Sequence, residues 1–120
     1  MSAGRLLLVD DEPDIRAIAT LALERVGGWA VTAAASADEA IAAVREDVPD
    51  VVLLDVMMPD TDGPATLARL RPLLGDAVPV IFLTAKGESA SLLALGAAGV
   101  IAKPFDPISL PREVAAITAR

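Results

Sequence analysis

Pro49-Asp50-Val51-Val52-Leu53-Leu54-Asp55-Val56-Met57-Met58-Pro59-Asp60-Thr61-Asp62-Gly63 carries an unbroken apolar run, Val51 to Leu54. The run is long enough for a strand and too short for a helix of its own. A strand with no polar alternation is buried on both faces, as in a parallel sheet covered by helices. It ends on a carboxylate, Asp55, and dissolves into a Pro/Asp/Gly loop. In open α/β sheets, ligands bind beyond the carboxyl ends of the strands. Taken alone, Asp55 reads equally well as an acid that closes a strand and caps the next turn.

The other strand ends shift that balance. Leu6-Leu7-Leu8-Val9 ends on Asp10-Asp11-Glu12, Val78 to Leu83 ends on Thr84-Ala85, and Gly99 to Ala102 ends on Lys103-Pro104-Phe105. In a parallel sheet these ends share one edge. Two adjacent acids, a central acid, a hydroxyl and a lysine then converge on one crevice. Solvation does not require such convergence; a divalent cation together with a phosphoryl group does.

Composition narrows the chemistry. The 120 residues suit one domain with a substantial core, and a hydrophobic fraction of 54% excludes disorder. The chain has no Cys, so disulfides and thiolate sites are excluded, and it has no His. A bound metal must take oxygen ligands, which points to Mg²⁺, Mn²⁺ or Ca²⁺. The net charge of −7 makes direct nucleic-acid binding an unfavourable expectation, because phosphate contacts need clustered Lys and Arg. Leu6–Val9 is too short for a signal h-region and runs straight into acids. The uncharged stretch Leu92 to Ala102 contains Gly96 and Gly99 and falls short of the about 20 residues that span a bilayer. The expectation is a soluble, cytoplasmic protein with no membrane partner.

Along the chain, strands alternate with helical patterns, which predicts a doubly wound α/β sheet of five strands. Pro13 suits a first helical turn, with Asp11, Glu12 and Asp14 near its positive end. Ile15, Ile18, Ala19, Ala22 and Val26 recur at helical spacing before Gly27-Gly28. One acid suffices as a cap and two adjacent acids ahead of Glu12 exceed that need, so a ligand role for Asp10-Asp11 stands open beside the capping one. Trp29 to Ala33 reads as the second strand, with Trp29 a packing residue at its start. Ser36-Ala37-Asp38-Glu39 is a capping box. Thr66, Leu67, Leu70 and Leu74 form one face of a helix beginning near Pro64. Asp60 and Asp62 read as turn residues, with Gly63 expected at positive φ. The last helix has two competing starts, Asp106-Pro107 and Ser109-Leu110-Pro111.

Val9-Asp10-Asp11-Glu12, Leu54-Asp55 with Met58-Pro59 and Asp62-Gly63, Leu83-Thr84-Ala85, and Gly96-Ala97 followed by Lys103-Pro104-Phe105 stand in one order over nearly the whole chain. In this the chain resembles the receiver domain of bacterial two-component response regulators, the family of the single-domain chemotaxis regulator. The resemblance implies a flavodoxin-like sheet of order 2-1-3-4-5 and a single receiver domain over 1–120, with no linker or output domain expected within it. It implies Asp55 as phosphoacceptor from a histidine kinase or histidine phosphotransfer protein, and a conformational switch that signals to a downstream partner. Mg²⁺, with Mn²⁺ as the alternative, would be held by Asp11 and Asp55, by Asp10 through water, and by the Met57 carbonyl. Lys103, the Thr84 hydroxyl and the Ala85 backbone N–H would assist the phosphoryl group. The chain would not be an enzyme beyond its own phosphorylation and slow dephosphorylation.

Two departures from the family bear on output. The spacing from Thr84 to Lys103 is a few residues shorter than in a typical receiver, so the fourth helix should be short, opened by Glu88 or Ser89. Val100 stands where the family has Tyr or Phe, so readout is expected from the Thr84 to Gly96 segment, not from an aromatic rotation. Met57 and Lys86 are expected to border the path of the hydrolytic water. Two other readings remain. A haloacid-dehalogenase-type phosphohydrolase would need Asp-x-Asp at the first strand and room for a cap. A pseudo-receiver that binds partners without phosphorylation usually loses an acid or the lysine.

Overall fold

The computed structural model describes residues 3–85 and 89–119, apart from the Ser89 side chain. Five strands and five helices alternate: β1 Gly4–Val9, α1 Pro13–Arg25, β2 Trp29–Ala34, α2 Ala37–Glu46, β3 Val51–Asp55, α3 Gly63–Leu74, β4 Val80–Thr84, α4 Ser89–Ala94, β5 Gly99–Ala102 and α5 Leu110–Thr118. The strands form one parallel sheet in the order β2-β1-β3-β4-β5. The expected 2-1-3-4-5 order is therefore observed.

Burial on both faces is why the central strands read as continuous apolar runs. All five residues of β3 and all five of β4 are buried. Successive side chains leave a strand on opposite faces, so one apolar run feeds two cores. Leu7, Val9, Val52, Leu54, Val80 and Phe82 pack under α2, α3 and Leu92 of α4. Leu6, Leu8, Val51, Leu53, Ile81 and Leu83 pack under α1 and α5, through Ala19, Leu23, Leu110 and Val114. The forward half of the capping box forms, Ser36 Oγ accepting from the Glu39 N–H at 3.1 Å, while Glu39 Oε1 reaches one residue further back and accepts from the Ala35 N–H at 3.0 Å.

Two local expectations are revised and one open alternative is settled. In α1 the inward stripe is Ala19, Ala22 and Leu23, while Ile18 is 44% and Val26 67% exposed. Val26 lies at the C-cap, beyond the helical repeat, and Leu23 takes the place against the sheet. The last helix uses the second of its two starts, with Ser109 at the N-cap. Asp106 instead builds the preceding turn, its carboxylate accepting from the Ile108 N–H at 2.9 Å. The fourth helix is short, six residues, and Gly96 beyond its end adopts φ +94°. Lys86, Gly87 and Glu88 lie outside the described residues, as does the water path assigned to Lys86. The expected readout through Thr84 to Gly96 falls partly on that unassigned stretch. Val100 is half-buried against the core under α2 and α3.

Gly63 is the second revision, and it positions the site. It does not adopt positive φ. Asp62 caps α3 by accepting from the Ala65 N–H at 2.9 Å, and the Gly63 N–H donates to the Val56 carbonyl at 2.8 Å. A Cβ on Gly63 would lie 2.7 Å from the Asp55 carbonyl oxygen and 2.8 Å from Val56 Cα. The glycine is required for close approach of α3 to the backbone that carries Asp55, not for its dihedral freedom. Gly63→Ala should therefore destabilise the protein by about 1–3 kcal/mol, as overpacking does. Urea unfolding measures this, and an unchanged midpoint would show that the Asp55–Val56 backbone yields freely.

Candidate functional site

Three strand ends deliver the charged side chains to one edge. Asp10 follows β1 directly and is fully buried; its N–H donates to the Ala34 carbonyl at 3.1 Å, which extends the β1–β2 pairing by one residue. Asp10 Oδ1 accepts from the Glu12 N–H at 2.9 Å, and the Asp10 carbonyl accepts from Arg16 Nη1 at 2.9 Å. Asp55 ends β3 opposite Leu83 of β4 and is 2% exposed. Its Oδ1 accepts from the Met57 N–H at 3.3 Å. Its Oδ2 is buried and accepts no hydrogen bond among the described residues.

Lys103 reaches in from the end of β5. Its N–H donates to the Thr84 carbonyl at 2.7 Å, which continues the β4–β5 pairing. Its ammonium hydrogen-bonds Asp10 Oδ2 at 2.9 Å and lies 3.3 Å from Asp55 Oδ2 and 3.5 Å from Glu12 Oε1. The Asp55 contact is an ion pair without hydrogen-bond geometry, which leaves Oδ2 with a charge partner but no donated proton.

Crowding of carboxylates in a poorly solvated crevice governs the electrostatics. Burial, reinforced by the neighbouring Asp10 charge, raises the Asp55 carboxyl from 3.8 to about 6, although Lys103 and the Met57 N–H oppose the rise. Burial by itself lowers the Lys103 ammonium, but the hydrogen bond to Asp10 and the two carboxylate charges outweigh it and hold the group above 10.5. Near neutrality the site therefore contains an anionic Asp55 that is costly to keep anionic, beside a lysine that stays charged.

Such a site suits a hard cation. Asp10, Asp11, Glu12 and Asp55 each bring an oxygen to within 4.8 Å of the others, and the buried Asp55 Oδ2 still lacks a hydrogen bond. No histidine or cysteine competes, so the donor set is all oxygen, as Mg²⁺ or Mn²⁺ prefers.

The residues singled out in the sequence are brought together unevenly. Asp10, Asp55 and Lys103 are in direct contact, and the half-buried Asp11 joins the acid cluster. Met57 meets Asp55 through its N–H, while its side chain is 73% exposed. Thr84 is buried at the end of the neighbouring strand, one residue beyond the Asp55–Leu83 pair, and Ala85 follows it exposed. Sequence reasoning treated Glu12 only as an acid near a helix start and did not single out Arg16. Glu12 is a fourth acid of the cluster, and its adjacency to Asp10-Asp11 was the available signal. Arg16 anchors the Asp10 carbonyl from one turn along α1, a contact that no residue pattern announces.

The sequence and the fold both have close counterparts. Residues 6–115 match the family described as "Response regulator receiver domain". The chain is 41% identical over 119 residues to the transcriptional regulatory protein ResD of Bacillus subtilis, covering 97% of this chain and 48% of ResD. It is 39% identical to the phosphate regulon transcriptional regulatory protein PhoB of Pseudomonas aeruginosa, covering all of this chain and 54% of PhoB. It thus spans about half the length of these curated relatives. Among solved structures, a putative response regulator from Chloroflexus aurantiacus superposes with TM-score 0.86 at 35% identity, covering 98% of each chain. The chemotaxis protein CheY4 of Vibrio cholerae does so with TM-score 0.86 at 29% identity, again over 98% of both. The relatives are named as transcriptional regulators, so the expectation of no nucleic-acid partner finds no support here; the acidic balance speaks for these 120 residues alone. Among the described residues no helix is long and apolar enough to cross a membrane. The phosphohydrolase reading finds no support either: the chain belongs to the response regulator receiver domain family.

Proposed function

We propose that this domain accepts a phosphoryl group on Asp55 and signals by the resulting conformational change. The observation that carries the proposal is Asp55 itself: an almost fully buried carboxylate at the end of the central strand, with Oδ2 accepting no hydrogen bond among the described residues and 3.3 Å from Lys103. With its carboxyl near 6, Asp55 is largely ionised at neutral pH and therefore nucleophilic. Its oxygen forms a bond to the phosphorus of a phosphohistidine as the P–N bond breaks, and the imidazole leaves with the electron pair. An acyl phosphate results.

Phosphoryl transfer needs positioning and charge neutralisation more than covalent assistance. Asp11 and Asp55, Asp10 through water, and the Met57 carbonyl are the groups that would hold Mg²⁺, or Mn²⁺ in its place. When bound, the cation supplies charge neutralisation at the phosphoryl oxygens. Lys103 offers a second positive charge, already held at the crevice by Asp10. The Thr84 hydroxyl and the Ala85 N–H, at the end of β4, are the remaining donors. The donor protein is a histidine kinase or histidine phosphotransfer protein, which places the domain in the cytoplasm, and the receiver of the signal is a separate surface or partner. With Val100 in strand β5, no ring is present at that position to rotate, so the readout is assigned to the region from Thr84 to Gly96.

Incubation with acetyl phosphate or a phosphorylated kinase domain, followed by intact mass, should show one phosphoryl group. EDTA and Asp55→Asn should each abolish it. Peptide mapping that placed the group on a Ser or Thr of the wild type would sink the proposal.

The same carboxylate should weaken the metal-free fold. Its folded pKa lies above its unfolded value, so the folded state binds the proton more tightly, and stability falls as pH rises from about 4 to about 6. In EDTA at pH 7, Asp55→Asn should therefore stabilise the protein by roughly 1–3 kcal/mol, with the advantage vanishing near pH 4. Melting curves of both proteins at the two pH values decide this; an advantage that grew on acidification would contradict it.

Mg²⁺ at a hundredfold excess over its Kd should add about 2.7 kcal/mol to the wild type. Asp11→Asn should blunt that response. A wild-type melting temperature that stayed flat across the titration would count against the cation site.

A further inference from the structure

Glu12 occupies the N-cap of α1, where a short polar side chain would normally bond the first-turn N–H groups, yet its side chain makes no such cap bond. The carboxylate turns instead toward the crevice, 3.5 Å from the Lys103 ammonium and within the oxygen cluster of Asp10, Asp11 and Asp55. It is also the outermost member: Glu12 is 61% exposed on its side chain, whereas Asp10 and Asp55 are buried. Lys103 is thus shared among three carboxylates, two fixed at strand ends and one on a solvated, rotatable side chain.

This arrangement puts at the entrance a negative charge that makes no cap hydrogen bond to the helix and lies outside the core. An incoming phosphodonor is an anion, and the phosphoryl group on Asp55 must share Lys103 with whatever already holds it. We infer that Glu12 sets phosphodonor specificity, opposing donors in proportion to their negative charge by repelling them at the mouth and competing with them for Lys103. The inference rests on Asp55 as phosphoacceptor. Asp10 also competes for Lys103, but it is locked by the Glu12 N–H and discriminates between donors no more than the buried wall does. The repulsion acts through a solvated side chain, so it is sensitive to salt; a purely steric effect of Glu12 is not.

Two small donors separate the cases. Acetyl phosphate is dianionic near neutrality, and phosphoramidate is a monoanionic zwitterion. From either, Asp55 forms a P–O bond while the bond to the leaving group breaks; acetate departs with its electron pair, and the ammonium of phosphoramidate departs as ammonia. Rates are compared for the wild type, Glu12→Gln and Asp14→Asn at Mg²⁺ saturating for each protein. Asp14 is exposed in the first turn of α1, outside the cluster, and its substitution makes the same change in net charge. Melting curves in EDTA verify that each variant folds.

In Glu12→Gln the rate ratio of acetyl phosphate to phosphoramidate should rise about threefold or more at low salt, as removal of one nearby charge dictates. The rise should collapse in 1 M KCl, where the screening length is about 3 Å. Asp14→Asn should leave the ratio unchanged. A ratio that does not change in Glu12→Gln, that persists in high salt, or that rises equally in Asp14→Asn overturns the inference while leaving Asp55 in its role. If the wild type takes no phosphoryl group from either donor, the phosphoacceptor reading fails and this one with it.

Discussion

One ammonium group holds the crevice together. Lys103 is drawn between Asp10 and Asp55, two carboxylates that the sheet buries almost completely and whose like charges would otherwise push the strand ends apart. Burying a charge is tolerable only when it is paired, and here one cation serves two buried partners unequally. Asp10 receives a hydrogen bond from Lys103 and another from the Glu12 N–H, so its demand is met. Asp55 Oδ2 receives charge without a donated proton, and the cost appears as a carboxyl shifted up to about 6. The arrangement is strained in the direction of accepting more positive charge.

The scaffold makes that strain tolerable. β1, β3 and β4 lie side by side with apolar residues on both faces, and the helical layers that cover them fix where each strand ends. Truncating a core leucine such as Leu53 would cost about 2–5 kcal/mol, which is of the same order as the electrostatic penalty at the site. Gly63 adds a geometric condition: α3 approaches the Asp55–Val56 backbone so closely that even a methyl group has no room. Core, glycine and lysine therefore act on the same few residues from different sides.

Much of this was legible in the residues. Continuous apolar runs announced doubly buried strands, and the functional groups at their ends announced the edge on which the site lies. That legibility comes from the parallel sheet, which converts the end of a run directly into a position in space. The failures fall where a residue's role depends on distant partners. Ile18 and Leu23 are equally apolar, and only the docking of α1 on the sheet decides that Leu23 turns in. Gly63 follows Asp62 as a turn glycine would, but its reason is the backbone at the end of β3, which α3 folds back against. Glu12 looked like a helix-start acid because position suggested it; its side chain answers to Lys103, 91 residues further on.

The sheet is also uneven in how firmly it holds its backbone. Every residue of β3 is buried between β1 and β4, whereas β5 closes the edge with four residues and neighbours a six-residue helix. Exposing a β3 amide to deuterium exchange requires both helical layers to part, so those amides report global unfolding. An edge strand has one strand neighbour fewer to part from, so β5 amides are expected to exchange through smaller openings than those of β3. Asp55 and Lys103 thus face each other across an expected gradient of protection, one at the end of a central strand and the other just beyond an edge strand. A change of charge between them is therefore not absorbed by β3, and it is passed to the loops that leave the ends of the neighbouring strands.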